Sequence, residues 1–273
     1  MKKTIFFIFI ICLVVLGCAS KETITRIEEP VIAKPSASMI RLQGTTIITQ
    51  QKPGNGPPNE IVIKPFYLGV YLVTQKEYQE IMGTNPSFFK GENLPVENVS
   101  WKDSIEFCNR LSRRDRLTPV YEINNNVITW NHNANGYRLP TELEWEYACR
   151  AGTTTPFSTG NHISTNQANY DGRFPYNSNT RGEYRARTTP VGSFAANPWG
   201  LYDMHGNVWE WCWDDPAGSH PNGASEISAR TTRVIRGGAW SSSGISLLTV
   251  YRSSFQPHWS NNYIGFRLAR NAD

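Results

Sequence analysis

The segment between Trp240 and Tyr263 carries side chains whose types favour surface chemistry, and that chemistry is binding. Serine and asparagine supply adaptable hydrogen bonds, while tyrosine and tryptophan supply large contact areas with few rotatable bonds. The segment contains no Asp, Glu, Lys or Cys, so acid–base and thiol reactions have few groups to use there. A serine-rich surface loop without a binding role has the same composition, and that alternative stays open. The predicted ligand-binding residues are Ser241, Ser242, Ser243, Ile245, Ser246, Tyr251, Ser253, Ser254, Phe255, His258, Trp259, Asn261, Asn262 and Tyr263.

The cysteines are distributed in a way that excludes a scaffold of several disulfides. Cys12 lies in the apolar N-terminal run and Cys18 follows that region. The remaining cysteines are an odd number, namely Cys108, Cys149 and Cys212. Each of these three has an apolar neighbour in sequence, which favours a buried small hydrophobic side chain. No histidine is adjacent to any of them, so a catalytic thiol is not expected, while one disulfide among them stays open.

The N-terminus has the features of a bacterial lipoprotein leader. Lys2 and Lys3 form a positive region, and Ile5–Leu16 is an apolar run too short to span a bilayer. The run Val15–Cys18 resembles a lipobox, which predicts Cys18 as the lipid-bearing residue, with a plain secretory signal as the alternative. Several acyl chains on Cys18 would anchor the protein stably, since each buried CH₂ contributes about 0.8 kcal/mol. We expect a signal peptide over residues 1–17, a tether over 18–38 and a folded domain over 39–273, at the surface of the outer membrane.

Composition limits the possible partners. Apolar residues make up 39% of the chain and tryptophan occurs nine times, which indicates a substantial core with aromatic side chains. The formal net charge is +4, and it falls to about +2 without Lys2 and Lys3. No dense basic run is present, so nucleic acid is not expected as a partner. The expected partners are a membrane, through Cys18, and an unidentified protein or surface ligand.

Three helices are predicted from their capping signals. Thr74 and Glu77 form a capping box that opens a helix ending at Gly83. Ser100 caps a helix that runs to Arg113, with an apolar stripe of Trp101, Ile105, Cys108 and Leu111.

The third helix is predicted over Thr141–Ala151, with Glu144 in its capping box and Gly152 as the stop. Strands are expected from runs of β-branched and aromatic residues. The predicted strand regions are Met39–Ile48, Ile61–Val73, a hairpin over Tyr121–Trp130, Val208–Trp213, Arg233–Arg236 and Ile264–Arg270. A long loop is expected from Thr153 to Trp199, and loops of this length are usually functional.

Several ordered motifs are similar to one family. They are Val73–Tyr78, Leu94–Trp101, Tyr137–Glu142, Glu144–Ala148, Gly200–Met204, Gly206–Trp211, Arg236–Gly238 and Gly265–Arg267. Together they resemble the sulfatase-modifying-factor family, of the formylglycine-generating-enzyme type. The resemblance implies an α+β domain with a C-type lectin-like fold and little regular secondary structure. Fold alone does not imply the enzymatic activity.

The chain departs from the family's oxidase where that enzyme holds copper. The family places a copper-binding cysteine pair shortly after a Gly-Gly-Ser-Trp motif, which here is Gly237-Gly238-Ala239-Trp240 followed by serines. No cysteine follows Cys212, and serine hydroxyls do not replace thiolates as copper ligands. The five histidines are scattered and form no iron-binding motif. We therefore expect no copper and no catalytic residues, with an enzyme using unrecognised residues as the alternative.

A narrower branch of the family is similar in its C-terminal segment. Variable proteins of diversity-generating retroelements use this fold, and their hypervariable segment ends near an Ile-Gly-Phe-Arg motif, here Ile264–Arg267. The chain resembles the variable lipoproteins of treponemes within that branch. The resemblance implies a ligand-binding protein with a variable segment at about 239–263, in which Trp240 belongs to the buried framework. A calcium-dependent carbohydrate lectin ranks third, because the Glu-Pro-Asn and Gln-Pro-Asp sugar motifs are absent.

The resemblance also implies a structural calcium site. The loop from Asp203 to Glu210 matches the family's calcium loop, with Asp203 and Glu210 as carboxylate ligands and Gly206 and Val208 as carbonyl ligands. Hard oxygen ligands suit Ca²⁺. The alternative is that the two carboxylates form hydrogen bonds within a tryptophan-rich turn.

Overall fold

The computed structural model describes residues 38–48, 60–125, 127–177, 180–217, 226–228 and 231–272. The predicted signal peptide, the lipid acceptor Cys18 and nearly all of the tether lie outside the described residues. None of the helices in the described ranges is long and apolar enough to cross a membrane.

The three predicted helices are confirmed, each with a complete capping box. Helix α1 spans Gln75–Met82, α2 spans Trp101–Arg114 and α3 spans Glu142–Arg150. In each, the N-cap hydroxyl accepts the N–H of the third helical residue, whose carboxylate accepts the N-cap N–H. The end of α3 differs from the prediction, because Ala151 already takes the left-handed conformation, with φ of 45°.

The strands of the described residues are short and belong to four sheets. Their bounds are β1 Met39–Leu42, β2 Thr45–Ile48, β3 Glu60–Ile63, β4 Phe66–Gly69, β5 Tyr121–Asn124, β6 Val127–Trp130, β7 Tyr137–Arg138, β8 Trp209–Trp211, β9 Glu226–Ser228, β10 Arg233–Arg236, β11 Arg252–Phe255, β12 Ile264–Gly265 and β13 Ala269–Asn271. The first sheet has the order β1-β4-β13-β7 and the second has the order β11-β10-β8-β12. The remaining sheets are the pair β2-β3 and the triplet β5-β6-β9, which contains the predicted hairpin.

Three of the strands were predicted as continuous, which is wrong, because each is divided into two strands. The first, Met39–Ile48, divides into β1 and β2 beside Gly44, where a Cβ would lie 2.3 Å from the Ile63 carbonyl oxygen. The second, Ile61–Val73, breaks at Pro65, which cannot donate to a ladder. The third, Ile264–Arg270, also divides, because β12 pairs with β8 and β13 pairs with β4 and β7.

Two buried clusters connect the helices to the sheets. The predicted stripe of α2 is buried in one cluster together with Trp209 and Trp211 of β8 and Ile235 of β10. Helix α3 contributes Trp145 to the other cluster, which contains Phe66 of β4. Burial of each such side chain stabilises the fold by roughly 1.5–3 kcal/mol. The helices thereby fix the sheet strands that lead into and out of the C-terminal segment.

The described residues between Thr153 and Trp199 form no helix or ladder strand, as predicted. An asparagine pair fixes this region to the second sheet: the Asn207 N–H donates to the Asn169 carbonyl at 2.8 Å. The Asn207 side-chain oxygen also accepts the Thr189 N–H at 3.0 Å. A backbone hydrogen bond and a side-chain amide of Asn207 together therefore order this part of the long loop.

Candidate functional site

The framework is buried at both ends of the predicted variable segment. Gly237 and Gly238 lead into the segment with φ of 95° and 77°, and a Cβ on Gly238 would lie 2.8 Å from a Leu247 methyl group. Glycine is required there because other residues rarely adopt this conformation. Ile264 at the far end is 1% exposed. The segment therefore leaves and re-enters the folded domain at two fixed points.

A strand that the sequence pattern did not indicate lies in the middle of the segment. Strand β11 pairs antiparallel with β10, so that Ser253 is opposite Ile235 and Ser254 is opposite Val234. The sequence Arg-Ser-Ser-Phe has no apolar alternation, and for that reason it was not predicted as a strand. Backbone pairing to an internal strand holds the segment independently of its side chains.

None of the fourteen predicted ligand-binding side chains is buried. Eight are half-buried and six are exposed, namely Ser241, Ile245, Tyr251, His258, Trp259 and Asn261. Trp259 is 53% exposed, a large value for a tryptophan, and Ile245 is 52% exposed. The exposed Val250 was not predicted, although it lies on the same segment. The residues predicted to be a surface thus lie at a surface.

The segment is held to the framework mainly through its carbonyl groups. The Asn98 N–H donates to the Asn261 carbonyl at 2.8 Å, the Trp240 indole N–H to the Asn262 carbonyl at 3.0 Å, and the Trp209 N–H to the Tyr263 carbonyl at 2.8 Å. Main-chain contacts of this kind place no requirement on the side chain of the accepting residue.

Arg236 of β10 holds the variable segment through hydrogen bonds to two of its carbonyl groups. Its guanidinium is fully buried and donates to the carbonyls of Thr249, at 2.7 Å, and Tyr251. Glu146 of α3 pairs with the same guanidinium at 2.6 Å, so the charge is compensated. Helix α3 therefore positions the segment through one arginine.

Two predicted contact residues also have framework roles. The Ser242 hydroxyl accepts the Ala239 N–H at 3.0 Å, and the Asn261 side-chain oxygen accepts the Asn262 N–H at 2.8 Å. Phe255 is half-buried, with its ring centre 5.8 Å from that of Trp259 and 6.4 Å from that of Tyr263. Substitution at these positions is less free than at the exposed ones.

Trp240 differs from the prediction that it lies in the buried framework. It is half-buried, and its ring contacts Phe89 and Tyr184, with centre distances of 5.5 Å and 6.1 Å. These two residues are far apart in sequence, and no local pattern indicated that they meet beside the variable segment.

The predicted calcium ligand Glu210 has a different partner in the fold. It is fully buried, and its two oxygens accept from the Arg267 guanidinium at 2.6 Å and 2.9 Å and from the Trp145 indole N–H at 2.8 Å. Both oxygens therefore already have donors, and the positive charge comes from Arg267. In this arrangement the hydrogen-bonding alternative describes Glu210, and the calcium site remains a prediction.

The other members of the predicted set are held in the backbone framework. One Asp203 oxygen accepts the Gly192 N–H at 2.7 Å, and burial raises the pKa of Asp203 to about 6. The Gly206 N–H donates to the Gly237 carbonyl at 2.8 Å, and Val208 is buried. Among the described residues, no three His, Cys, Asp or Glu side chains gather as a metal centre would need.

The three predicted buried cysteines are confirmed as free, buried thiols, so the possible disulfide among them is not formed. Burial raises the pKa of Cys108, Cys149 and Cys212, which suppresses the reactive thiolate. Cys149 lies 3.8 Å from the His205 ring, whose pKa burial lowers to about 4. A neutral imidazole does not stabilise a thiolate, so this pair is not an activated nucleophile.

Comparison with known proteins identifies the family. Residues 27–272 match the sequence model of the sulfatase-modifying factor enzyme 1-like domain. The chain belongs to this family. The expected resemblance and the expected C-type lectin-like α+β fold are therefore confirmed.

The relatives in the family carry names that describe different activities. The Paenibacillus barcinonensis protein named chaperone protein LppX is 34% identical, and the alignment covers 99% of both chains. The mouse inactive C-alpha-formylglycine-generating enzyme 2 is 28% identical over 80% of this chain and 79% of its own length. Proteins named formylglycine-generating enzyme also match, so the family includes enzymes and inactive members.

A solved structure supports the narrower resemblance. Treponema denticola variable protein 1 superposes with a TM-score of 0.72 and 30% sequence identity, covering 86% of this chain and 95% of its own. The expected resemblance to a treponemal variable protein is thereby confirmed within the family.

Proposed function

We propose that the chain is a lipid-anchored, non-enzymatic binding protein of the cell envelope, which displays residues 239–263 as a variable surface. The observation that carries the proposal is the contrast in burial along the chain. All fourteen proposed contact side chains are exposed or half-buried, while Gly237, Gly238 and Ile264 at the boundaries are buried. A rigid frame with an exposed segment reduces the ordering cost of binding.

The mode of attachment supports exchange of side chains without unfolding. Carbonyls of Thr249, Asn261, Asn262 and Tyr263 accept the framework's hydrogen bonds, and β11 pairs through its backbone. A diversity-generating retroelement needs a scaffold that tolerates many residues at the same positions. This tolerance, together with the likeness to a treponemal variable protein, favours diversification of the segment at the DNA level.

The proposed location follows from the leader. The positive region, the apolar run and Cys18 predict lipidation, and the relative named LppX aligns over 99% of both chains. Anchoring at the outer membrane with the domain exposed at the cell surface is the arrangement in which a variable surface would meet foreign ligands. The proposed partner is a protein or another surface ligand, and calcium is not part of the proposal because Glu210 is paired with Arg267.

One observation favours an enzyme as the second candidate. A pocket of about 360 Å³ is lined by Ser158, Asp203 and His205, among other residues. The Ser158 hydroxyl lies 3.0 Å from the His205 ring nitrogen, which is a nucleophile–base distance. The family contains enzymes, so a reaction at this pocket is the alternative.

Sequencing the gene from natural isolates tests the proposed function. We expect differences to concentrate at the fourteen positions between Ser241 and Tyr263, with a near-repeat of these codons and a reverse-transcriptase gene nearby. Differences spread evenly along the chain would overturn the proposal. Formylglycine formation on a cysteine-containing sulfatase peptide by the purified protein with copper would favour the enzyme instead.

A further inference from the structure

Four aromatic residues outside or at the edge of the variable segment form a continuous row, here called the aromatic ridge: Phe88, Phe89, Trp240 and Tyr184. Ring centres are 5.0 Å apart between Phe88 and Phe89, 5.5 Å between Phe89 and Trp240, and 6.1 Å between Trp240 and Tyr184. Phe88 at one end is 68% exposed, the largest exposure among the apolar side chains described as exposed. The other three rings are half-buried, and a row of partly accessible aromatic rings is a feature of binding surfaces.

Cations lie against two rings of the ridge, those of Phe89 and Tyr184. The Arg187 guanidinium is 5.9 Å from the Phe89 ring centre, and the Arg173 guanidinium is 4.1 Å from that of Tyr184. Arg173 is paired with Asp171 at 2.7 Å. Within the described residues no carboxylate lies within 4.0 Å of Arg187 or of the exposed Lys90, whose ammonium group donates to the Asn85 carbonyl. Of these cations, Arg187 presents its charge without an ion-pair partner in the described residues, whereas Lys90 interacts electrostatically with the buried carboxylate of Glu97.

The ridge is held in place and joined to the variable segment. Buried Glu97 accepts the Phe89 N–H at 2.8 Å and donates its own N–H to the Ser87 hydroxyl at 3.2 Å, which fixes the turn that carries Phe88. The neighbouring Asn98 and the indole of Trp240 both donate to carbonyls of the variable segment, at Asn261 and Asn262. These two hydrogen bonds therefore join the ridge to the variable segment.

We propose that the aromatic ridge is the constant half of the binding surface and that it takes an acidic segment of a protein partner. The inference rests on the proposed function and names the chemistry of the ligand. Carboxylates of the partner pair with Arg187 and Lys90, while an apolar side chain of the partner packs on Phe88. The variable segment beside the ridge, which contains no Asp or Glu, then selects among partners that share this acidic character.

The observations favour a protein segment over other anions. A planar guanidinium matches a carboxylate in geometry, and a guanidinium stacked on a ring is already oriented. Anionic membranes and nucleic acids require several clustered cations. The ridge has two without ion pairs, and the variable segment adds Arg252, which is paired with Glu142 at 2.7 Å.

Selection of random peptides displayed on phage tests this inference, with the full chain as bait. We expect enriched peptides to combine Asp or Glu with an apolar residue. A synthetic peptide of the consensus should lose about tenfold in affinity on Arg187→Glu and about fivefold on Phe88→Ala, measured by biolayer interferometry. Arg113→Glu, the same charge change at the exposed end of α2, is the matched control and should leave the affinity unchanged.

The inference is overturned by a selection that enriches no peptide, by enriched peptides without an acidic bias, or by equal losses of affinity for Arg187→Glu and Arg113→Glu. The proposed function fails in a different way. If Trp259→Ala and Tyr251→Ala leave the selected sequences unchanged while the acidic bias persists, the ridge binds and the variable segment does not select. Binding of sulfated or uronic polysaccharide in place of peptides would also overturn the inference, while leaving a binding function in place.

Discussion

Arg267 and Glu210 form a fully buried, two-pronged ion pair, with nitrogen–oxygen distances of 2.6 Å and 2.9 Å. Arg267 follows β12 and Glu210 lies within β8, so the pair connects the exit of the variable segment to the middle of the second sheet. The Arg267 guanidinium also donates to the carbonyls of Gly69 and Tyr202, at 3.0 Å and 2.9 Å. One side chain thereby joins both four-stranded sheets and the stretch before β8 that contains Tyr202.

Replacing Arg267 with Met should destabilise the domain by about 3–5 kcal/mol, because the Glu210 carboxylate would remain buried without its cation. The double variant Arg267→Met/Glu210→Gln should recover part of the loss, since the unpaired charge is removed with its partner. Unfolding in urea measures both. Arg110→Met, which breaks the exposed pair with Glu106, is the control and should cost less than about 1 kcal/mol. Equal costs for the buried and exposed pairs would contradict the role assigned to Arg267.

Exposed positions of the variable segment should accept new side chains with little effect on stability. Trp259→Ser and Ile245→Asn should each lower the free energy of unfolding by less than about 1.5 kcal/mol, since only about half of each side chain is buried. Ile235→Ala, at the β10 position opposite Ser253, should cost about 2–5 kcal/mol because Ile235 is buried. Calorimetry of the three variants measures the contrast. Comparable losses at Trp259 and Ile235 would mean that the segment is part of the core.

Local chemistry in the sequence predicted the helices and the surface segment well. Thr74, Ser100 and Thr141 each cap a helix through contacts within three residues, and such contacts can be recognised without knowledge of the fold. Composition and the position between glycine-rich motifs indicated a surface for the fourteen predicted contact residues, none of which is buried, whereas Leu247, Thr249 and Pro257 of the same stretch are buried. The continuity of strands was less predictable, because β12 and β13 pair with strands that are distant in sequence.

Interactions between distant residues were the part that no pattern indicated. Glu210 matched a calcium loop, yet its charge is compensated by Arg267, 57 residues further along the chain. Phe89, Tyr184 and Trp240 meet although each belongs to a different stretch of the sequence. Strand β11 was missed because its backbone pairing, rather than its side chains, holds it to β10.

The buried thiols should be unreactive in the folded protein. Cys108, Cys149 and Cys212 are fully buried, and burial raises the pKa of each, so neither access nor thiolate is available at neutral pH. We expect no modification of the three by iodoacetamide at pH 7.5 over hours, and three additions after unfolding in urea, measured by mass spectrometry. Rapid labelling of Cys149 in the folded state would show that the His205 neighbourhood opens, and would favour the enzymatic alternative.

Asp203 should make the domain less stable as pH rises from 4 to 7. Burial is the main reason that its pKa is raised to about 6 from an ordinary value of 3.8, and the nearby Glu210 charge adds to the effect. The folded state thus favours the protonated form. The associated stability is fully present below the unfolded pKa and is lost as pH rises through the folded value, by about 3 kcal/mol.

Asp203→Asn should flatten this dependence, because the amide keeps an acceptor for the Gly192 N–H and carries no charge. The difference in unfolding free energy between parent and variant, followed by urea unfolding from pH 4 to 8, should grow with pH in favour of the variant.

The same urea unfolding in millimolar calcium tests for a bound ion, since an ion that binds the folded state stabilises it by mass action. With Glu210 paired to Arg267, we expect calcium to leave the parent unchanged. Stabilisation of the parent, but not of Asp203→Asn, would instead mean that the carboxylate of Glu210 turns from Arg267 to a bound cation.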